Sequence, residues 1–290
     1  MNFFKRKFLR CFIRSASPAY KETKKMSEGA TILKILRLGH ASYLLTSRQE
    51  KRYLIDPFLS VNPGCPEEYT KPEFLKTINA VFLTHGHFDH TSGLQEITDV
   101  NPEVLIVAQY DFGLLLMQKG YKNVHLLNYG GSIELDDVKA TMVQAIHTSS
   151  YSETEGTPMY AGQPAGYVFA FAGDRTVYHS GDTTMMADMK LIQDFYKPDI
   201  AILSSSGQFV MGPEEAAYVV KNLIDVDYVI PNHQFPNSAT TPRPEVLQGM
   251  LENFPVIETM MNKDNKFKEL LKDYDKTTVV LIDFGEEKEF

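Results

Sequence analysis

Three histidines and an aspartate fall within six residues of this chain: His85, His87, Asp89 and His90, in the run Thr84-His-Gly-His-Phe-Asp-His-Thr-Ser-Gly93. Imidazole and carboxylate at this density suit a borderline divalent cation, Zn²⁺ first, with Mn²⁺ or Fe²⁺ compatible with the same mixed set. The chain has only 8 histidines in all, so three beside one acid form a cluster rather than background. His85 and His87 alternate, which on an extended segment puts both rings on one side. Gly86 between them is expected to let the backbone bend so that neighbouring side chains converge. The competing reading is a polar loop in which histidines merely collect; the buried strand that leads into the cluster argues against it.

That strand is Ala80-Val-Phe-Leu83, short, apolar and ended by Thr84. Similar strands are expected over 31–39, 41–46, 52–57, 104–108, 124–127, 132–135, 138–146, 166–172, 176–179, 200–203, 228–231 and 277–284. Helices are expected from Leu94, from an Asp111 cap to Lys119, around 187–195, from Pro213 to about Leu223, and near 264–274. Residues 148–165 form a long loop rich in Ser, Thr, Gly and Pro, of a length that suggests function. Further polar residues stand at strand exits. His147 follows one strand, Asp182 follows another through a turn that Gly181 permits, and His233 follows a third. His125 alternates with apolar neighbours and reads as a structural histidine. Two strand-rich halves, each closing with helices, suggest two sheets packed face to face with helices outside.

Composition bounds the rest. A hydrophobic content of 43% with 11% aromatics suits a globular chain of 290 residues, and no apolar run is long enough to span a membrane. Two cysteines, Cys11 and Cys65, give no disulfide framework and point to a reducing, cytoplasmic setting. Net charge is −8, but residues 1–25 carry eight basic groups against Glu22, +7, which leaves −15 for the remainder. So acidic a body excludes nucleic acid as the expected partner and leaves a small molecule. Residues 1–28 read as a basic extension, and 29–290 as one domain. The extension, with Phe3, Phe4, Phe8, Leu9, Phe12 and Ile13 among its basic residues, fits either an amphipathic helix of the organellar-targeting or membrane-surface type or a disordered tail. Membrane contact is expected only through it, and homo-oligomerisation is left open.

His85-Gly-His87-Phe-Asp89-His90-Thr-Ser-Gly93 resembles the H-x-H-x-D-H-x-x-G signature of the metallo-β-lactamase fold hydrolases. Gly39-His40-Ala-Ser42, Gly162-Gln-Pro-Ala-Gly-Tyr167 and Met211-Gly-Pro-Glu-Glu-Ala216 are similar to its lactonase-like subgroup, which includes ascorbate-phosphate lactonases and uncharacterised metal-dependent hydrolases. The resemblance runs over roughly residues 31–285 and implies an α+β fold, the four-layer αββα sandwich. It also implies two divalent ions, one on His85, His87 and His147, the other on Asp89, His90 and His233, with Asp182 between them. Asp56 and His179 would support these ligands from behind. Asp89 would also orient a metal-bridging hydroxide, since two ions about 3.5–4 Å apart lower the pKa of a shared water toward neutrality. His40 is either a catalytic residue, through a substrate contact or a hydrogen bond behind the ligands, or a satisfied core histidine.

The implied reaction is cleavage of a small ester, lactone or phosphoester. A phosphodiesterase of the N-acyl-phosphatidylethanolamine phospholipase D type and a non-catalytic metal-binding module are the alternatives. Histidine at 87 rather than glutamate argues against the di-iron oxygen reductases of this fold. Asp182 rather than cysteine argues against a true β-lactamase, and the short intervals after His90 leave no room for the insertion of RNA-cleaving members. Ser204-Ser-Ser-Gly207 departs from the subgroup's pattern, and its hydroxyls are expected to bear on substrate polarity.

Overall fold

Most of the expected strands are apolar on both faces, and the fold uses both, as strands covered on two sides must. The computed structural model describes residues 32–152 and 156–290, so the basic extension at 1–28 lies outside the described residues. The strands are β1 (Lys34–Gly39), β2 (Ser42–Thr46), β3 (Arg52–Ile55), β4 (Ala80–Phe82), β5 (Leu105–Gln109), β6 (Val124–Leu127), β7 (Ser132–Leu135) and β8 (Val138–Gln144). There follow a small hairpin, β9 (Ser150–Tyr151) and β10 (Met159–Tyr160), then β11 (Ala165–Phe171), β12 (Thr176–His179), β13 (Ile200–Ser204), β14 (Tyr228–Asn232), β15 (Thr278–Val279) and β16 (Glu287–Glu289).

One seven-stranded sheet has the order β16-β1-β2-β3-β4-β5-β6 and the other β15-β14-β13-β12-β11-β8-β7. In the first, β16 through β3 pair antiparallel and β3 through β6 parallel. In the second, β7, β8, β11 and β12 pair antiparallel and β12 through β15 parallel.

Alternation along each strand sorts side chains between layers. Tyr53, Ile55, Phe82 and Val107 of the first sheet pack against Tyr167, Phe169, Ile200 and Ile202 of the second. Leu54, Val81 and Ile106, on the opposite face, pack under the helices Leu94–Val100 and Tyr110–Gln118 through Leu94, Ile97, Phe112 and Leu116. Tyr178, Ala201, Leu203 and Val229 do the same for helices Asp188–Tyr196, Pro213–Asn222 and Lys263–Leu270, meeting Met189, Val219 and Phe267. The result is the expected αββα sandwich.

Some local expectations are corrected. The strand expected over 277–284 is only Thr278–Val279, because the carbonyl of Ile282 turns to accept from the buried Arg37 guanidinium (2.9 Å). The helix beginning at Tyr110 is capped by Gln109, whose side chain accepts from the N–H groups of Asp111 and Phe112, not by Asp111. Helix Pro244–Asn253, strand β16 and the hairpin β9–β10 inside the 148–165 segment add to what was expected.

Candidate metal centre

The site forms where strands of both sheets end. β3 runs into Asp56, which adopts φ 49°, and its buried carboxylate accepts from the Thr84 N–H (2.8 Å) and Thr84 Oγ1 (2.6 Å). The same carboxylate meets Nδ1 of His90 (2.8 Å), leaving Nε2 of that ring free to point at the cluster. Thr84 Oγ1 also lies 3.0 Å from His85 Nδ1, and His85 Nε2 is 2.8 Å from His87 Nδ1. Thus one aspartate and one threonine behind β4 orient two rings of the cluster. Gly86 serves a different purpose from the one expected. Its φ is not left-handed; a Cβ there would lie 2.6 Å from Ala161 Cβ and 3.0 Å from the Ser150 carbonyl. Glycine is needed so that Ser150 and Ala161 can pack on the histidine loop.

The second sheet contributes from three separate strand ends. His147 follows β8, and its loop is tied to the next by Ile146 N–H donating to Thr183 Oγ1 (3.0 Å) and Thr184 N–H to the Ile146 carbonyl (3.2 Å). Asp182 follows β12 through Gly181, at φ 61°, where a Cβ would stand 2.2 Å from the Ala165 carbonyl oxygen. His233 follows β14 at φ 68°, with Nδ1 3.0 Å from Ser206 Oγ. Two tyrosines link the sheets here. Tyr167 donates to the Leu83 carbonyl (2.8 Å) and Tyr43 to the Pro231 carbonyl (3.1 Å), each two residues before a histidine of the cluster.

Among the described residues, the ligand atoms of His85, His87 and His147 lie within 4.8 Å of one another, and so do those of His40, Asp89, His90 and His233. Asp182 reaches both groups. Its Oδ2 is 2.7 Å from His233 Nε2, 3.3 Å from His90 Nε2 and 3.7 Å from His147 Nε2. All seven residues anticipated as ligands are therefore brought together.

The electrostatics show how strongly these groups are coupled. Burial works to raise the Asp182 carboxyl, but His233 and His90 hold it well below the usual range, and Asp89 is likewise held low by His90 and His40. Burial pushes His85 well below its ordinary value, and His87 down to about 4. His90 goes the other way. Burial opposes its charge, yet the carboxylates of Asp182, Asp56 and Asp89 raise it well above the ordinary imidazole value.

Other expected residues take supporting places. His40, at φ 49° and fully buried, is stacked on Phe235 (4.1 Å between ring centres), and its Nε2 lies 3.0 Å from Asp89 Oδ2. It holds Asp89 from behind and offers substrate no surface. His179 is also buried, and its Nδ1 accepts from the Gly181 N–H (3.1 Å), bracing the turn that carries Asp182. The serines at 204–206 do not face substrate as expected. All three are buried; Ser204 Oγ donates to the Gly181 carbonyl (2.6 Å) and Ser206 meets His233, so the polarity of these two serves the ligands. His125 is not among the clustered ligand atoms. Thr84, Tyr43 and Tyr167 had no supporting role in the sequence reading; only Thr84, a hydroxyl directly before the histidine run, left a local signal.

Residues 51–233 match the β-lactamase superfamily domain, and the chain belongs to that superfamily, with the metallo-β-lactamase fold of its metal-dependent hydrolases. A UPF0173 metal-dependent hydrolase of Chloroflexus aurantiacus is 38% identical over 224 residues, which cover 77% of this chain and 90% of that protein. Another, from Koribacter versatilis, is 35% identical over 221 residues, 76% of this chain and 92% of the relative. Among solved structures, Igni18, a metallo hydrolase of the hyperthermophilic archaeon Ignicoccus hospitalis, is similar with a TM-score of 0.71 at 25% identity, over 90% of this chain and 99% of that one. An isothiocyanate hydrolase from Delia radicum gut bacteria shares the fold, at a TM-score of 0.63 and 20% identity.

Proposed function

We propose that this chain is a dinuclear hydrolase that cleaves a small ester, lactone or phosphoester. The observation that carries the reading is the position of Asp182, whose single carboxylate reaches both histidine groups. The residues also fit cations on a second count. Asp182 Oδ1 is buried without a hydrogen-bond partner, and such an orphaned group costs about 1–3 kcal/mol unless something satisfies it. His85, His87 and His147 would hold one ion and Asp89, His90 and His233 the other, with Asp182 shared; zinc suits this donor set first. Bound there, two divalent ions supply Lewis acidity for a substrate oxygen and a strong nucleophile from water at neutral pH.

The chain's own residues do the rest. Asp89 has the most open carboxylate of the set, its side chain 30% exposed, and orients the attacking water at the cleft. His40 holds that carboxylate in place from its buried side. Asp56 and Thr84 fix the faces that His90 and His85 present, as Ser206 does for His233. Among the described residues no helix is long and apolar enough to cross a membrane.

Elemental analysis of the purified protein, beside Asp182→Ala and His85→Ala, tests the reading together with a panel of lactones, thioesters and phosphodiesters. Near two equivalents of metal are expected, lost in the variants together with one activity. A single tightly held ion and a silent panel would favour the binding-module alternative.

A further inference from the structure

The stretches that carry the ligands and their supports contain no lysine and no arginine: residues 38–47, 53–70, 77–118, 140–174, 176–189, 198–220 and 222–242 are free of both. Three arginines that border these stretches have partners of their own. Arg243 donates to the Ser60 carbonyl (2.6 Å), Arg37 is buried on Asp264 (2.7 Å) and Arg175 pairs with Asp227 (2.8 Å). Phosphate and carboxylate groups are ordinarily met by Arg or Lys, which supply charge and geometry together.

Among the side chains that the ligand loops expose are four large apolar ones, beside the polar Thr148, Thr184 and Gln208. Phe88, between His87 and Asp89, is 49% exposed; Ile146, before His147, is 48%; Met185, three residues after Asp182, is 40%; and Phe209, three after Ser206, is 52%. The last three stand on loops bonded to one another. Ile146 and Thr183 are joined as described, Met211 N–H donates to the Thr183 carbonyl (3.0 Å) and Gly207 N–H to the Met211 carbonyl (2.9 Å). Phe88 belongs to the first sheet's loop and packs edge-on against the buried Phe58 (5.8 Å). Large apolar side chains held out on several loops around one polar cluster mark a ligand surface rather than stray exposure.

We infer that the site takes an uncharged ester or lactone whose apolar arm lies against Phe88, Ile146, Met185 and Phe209, and that it disfavours phosphorylated substrates. The inference rests on the hydrolase reading above. In the reaction the oxygen of water bonds to the carbonyl carbon, the acyl C–O bond breaks, and the leaving oxygen takes a proton. The products are an acid and an alcohol, or one hydroxy acid from a lactone.

Calorimetry on the zinc-loaded full-length protein tests this without turnover. The probes are straight-chain alkyl hydroxamic acids from two to ten carbons, which bind metal through the head group, and a six-carbon hydroxamic acid ending in a phosphate ester. Affinity is expected to rise about two- to fourfold per methylene as the arm covers the apolar surface. The phosphate-bearing probe should bind more weakly than its neutral six-carbon counterpart, and Phe209→Ala and Met185→Ala should flatten the rise. A flat series, a rise unchanged in both variants, or tighter binding of the phosphate-bearing probe overturns the inference and leaves the hydrolase reading standing. No binding of any hydroxamic acid to protein that demonstrably holds metal overturns both, because such a site has no open position.

Discussion

The two halves of the sandwich use one strand plan and deliver their ligands in opposite ways. Each sheet runs through three antiparallel pairings and then three parallel ones. From the first, His85, His87, Asp89 and His90 come from one loop after β4. From the second, His147, Asp182 and His233 come from three strands, β8, β12 and β14, and meet only if those strands hold register. The first set is thus placed by local bonds, chiefly Asp56 and Thr84. The second is placed by the ladder of the sheet and by left-handed turns at Gly181 and His233. Ligands can share a site while depending on different parts of the folding free energy.

Substitutions in the two halves should separate these dependences. The largest effect is expected at Gly181→Ala, where a left-handed φ and a Cβ 2.2 Å from a carbonyl oxygen coincide. Unfolding free energy should fall by about 4 kcal/mol, with metal binding lost together with stability. Gly86→Ala in the first half meets the Ala161 methyl group at 2.6 Å and a carbonyl oxygen only at 3.0 Å, and it keeps an ordinary φ, so about 1–3 kcal/mol is expected. Urea unfolding of both variants gives the comparison; equal losses would mean that the two loops are not differently anchored.

Asp56→Asn should leave the fold nearly intact yet weaken metal binding about 10- to 100-fold, because the ring of His90 loses its carboxylate partner. Competition with a chromogenic chelator measures it, and unchanged affinity would remove Asp56 from the site's support. Next in size is a pH effect. The carboxylates of Asp182, Asp56 and Asp89 push His90 up, so a cation at its ring competes with a proton. Lowering pH should therefore weaken metal binding, by about tenfold per unit for each proton displaced, and uptake should release at least one proton. Titration calorimetry in buffers of different ionisation enthalpy counts it; zero release contradicts the assignment. The smallest effect is expected at Tyr43→Phe and Tyr167→Phe, which each leave one carbonyl near a ligand histidine without its donor, at about 1–2 kcal/mol. Since each tyrosine reaches from one sheet to the other's loop, the two losses should be similar, the one place where the halves are predicted to behave alike.

The same contrast explains what could be read from the sequence. The four ligands of the first half stand in one run, and chemistry clusters them without any knowledge of the fold. His147, Asp182 and His233 became candidates because each ends a strand, but their convergence rested on resemblance to a family. The strands themselves were legible where both faces are apolar, as in β13 and β14. β16, Glu-Lys-Glu, carries no such pattern, and only pairing with β1 makes it a strand. Tyr43 and Tyr167 are buried core aromatics on apolar strands. Their hydroxyls act across the sheets, and nothing local in the sequence records a bond between residues 188 or 84 positions apart.

The pairing of β1 has a consequence for synthesis on the ribosome. Arg37 on β1 finds its carbonyl partner at Ile282, 245 residues downstream, and β16 lies beyond that. At about 5–20 residues per second the growing chain presents β1 as an open sheet edge for roughly 12–50 seconds before its outer neighbour emerges. Until then the backbone N–H and C=O groups of Lys34, Ile35 and Leu36 that β16 will pair stay open along that edge. This nascent chain should therefore depend on chaperones for longer than its size alone suggests, and loss of β16 should show first as aggregation during translation.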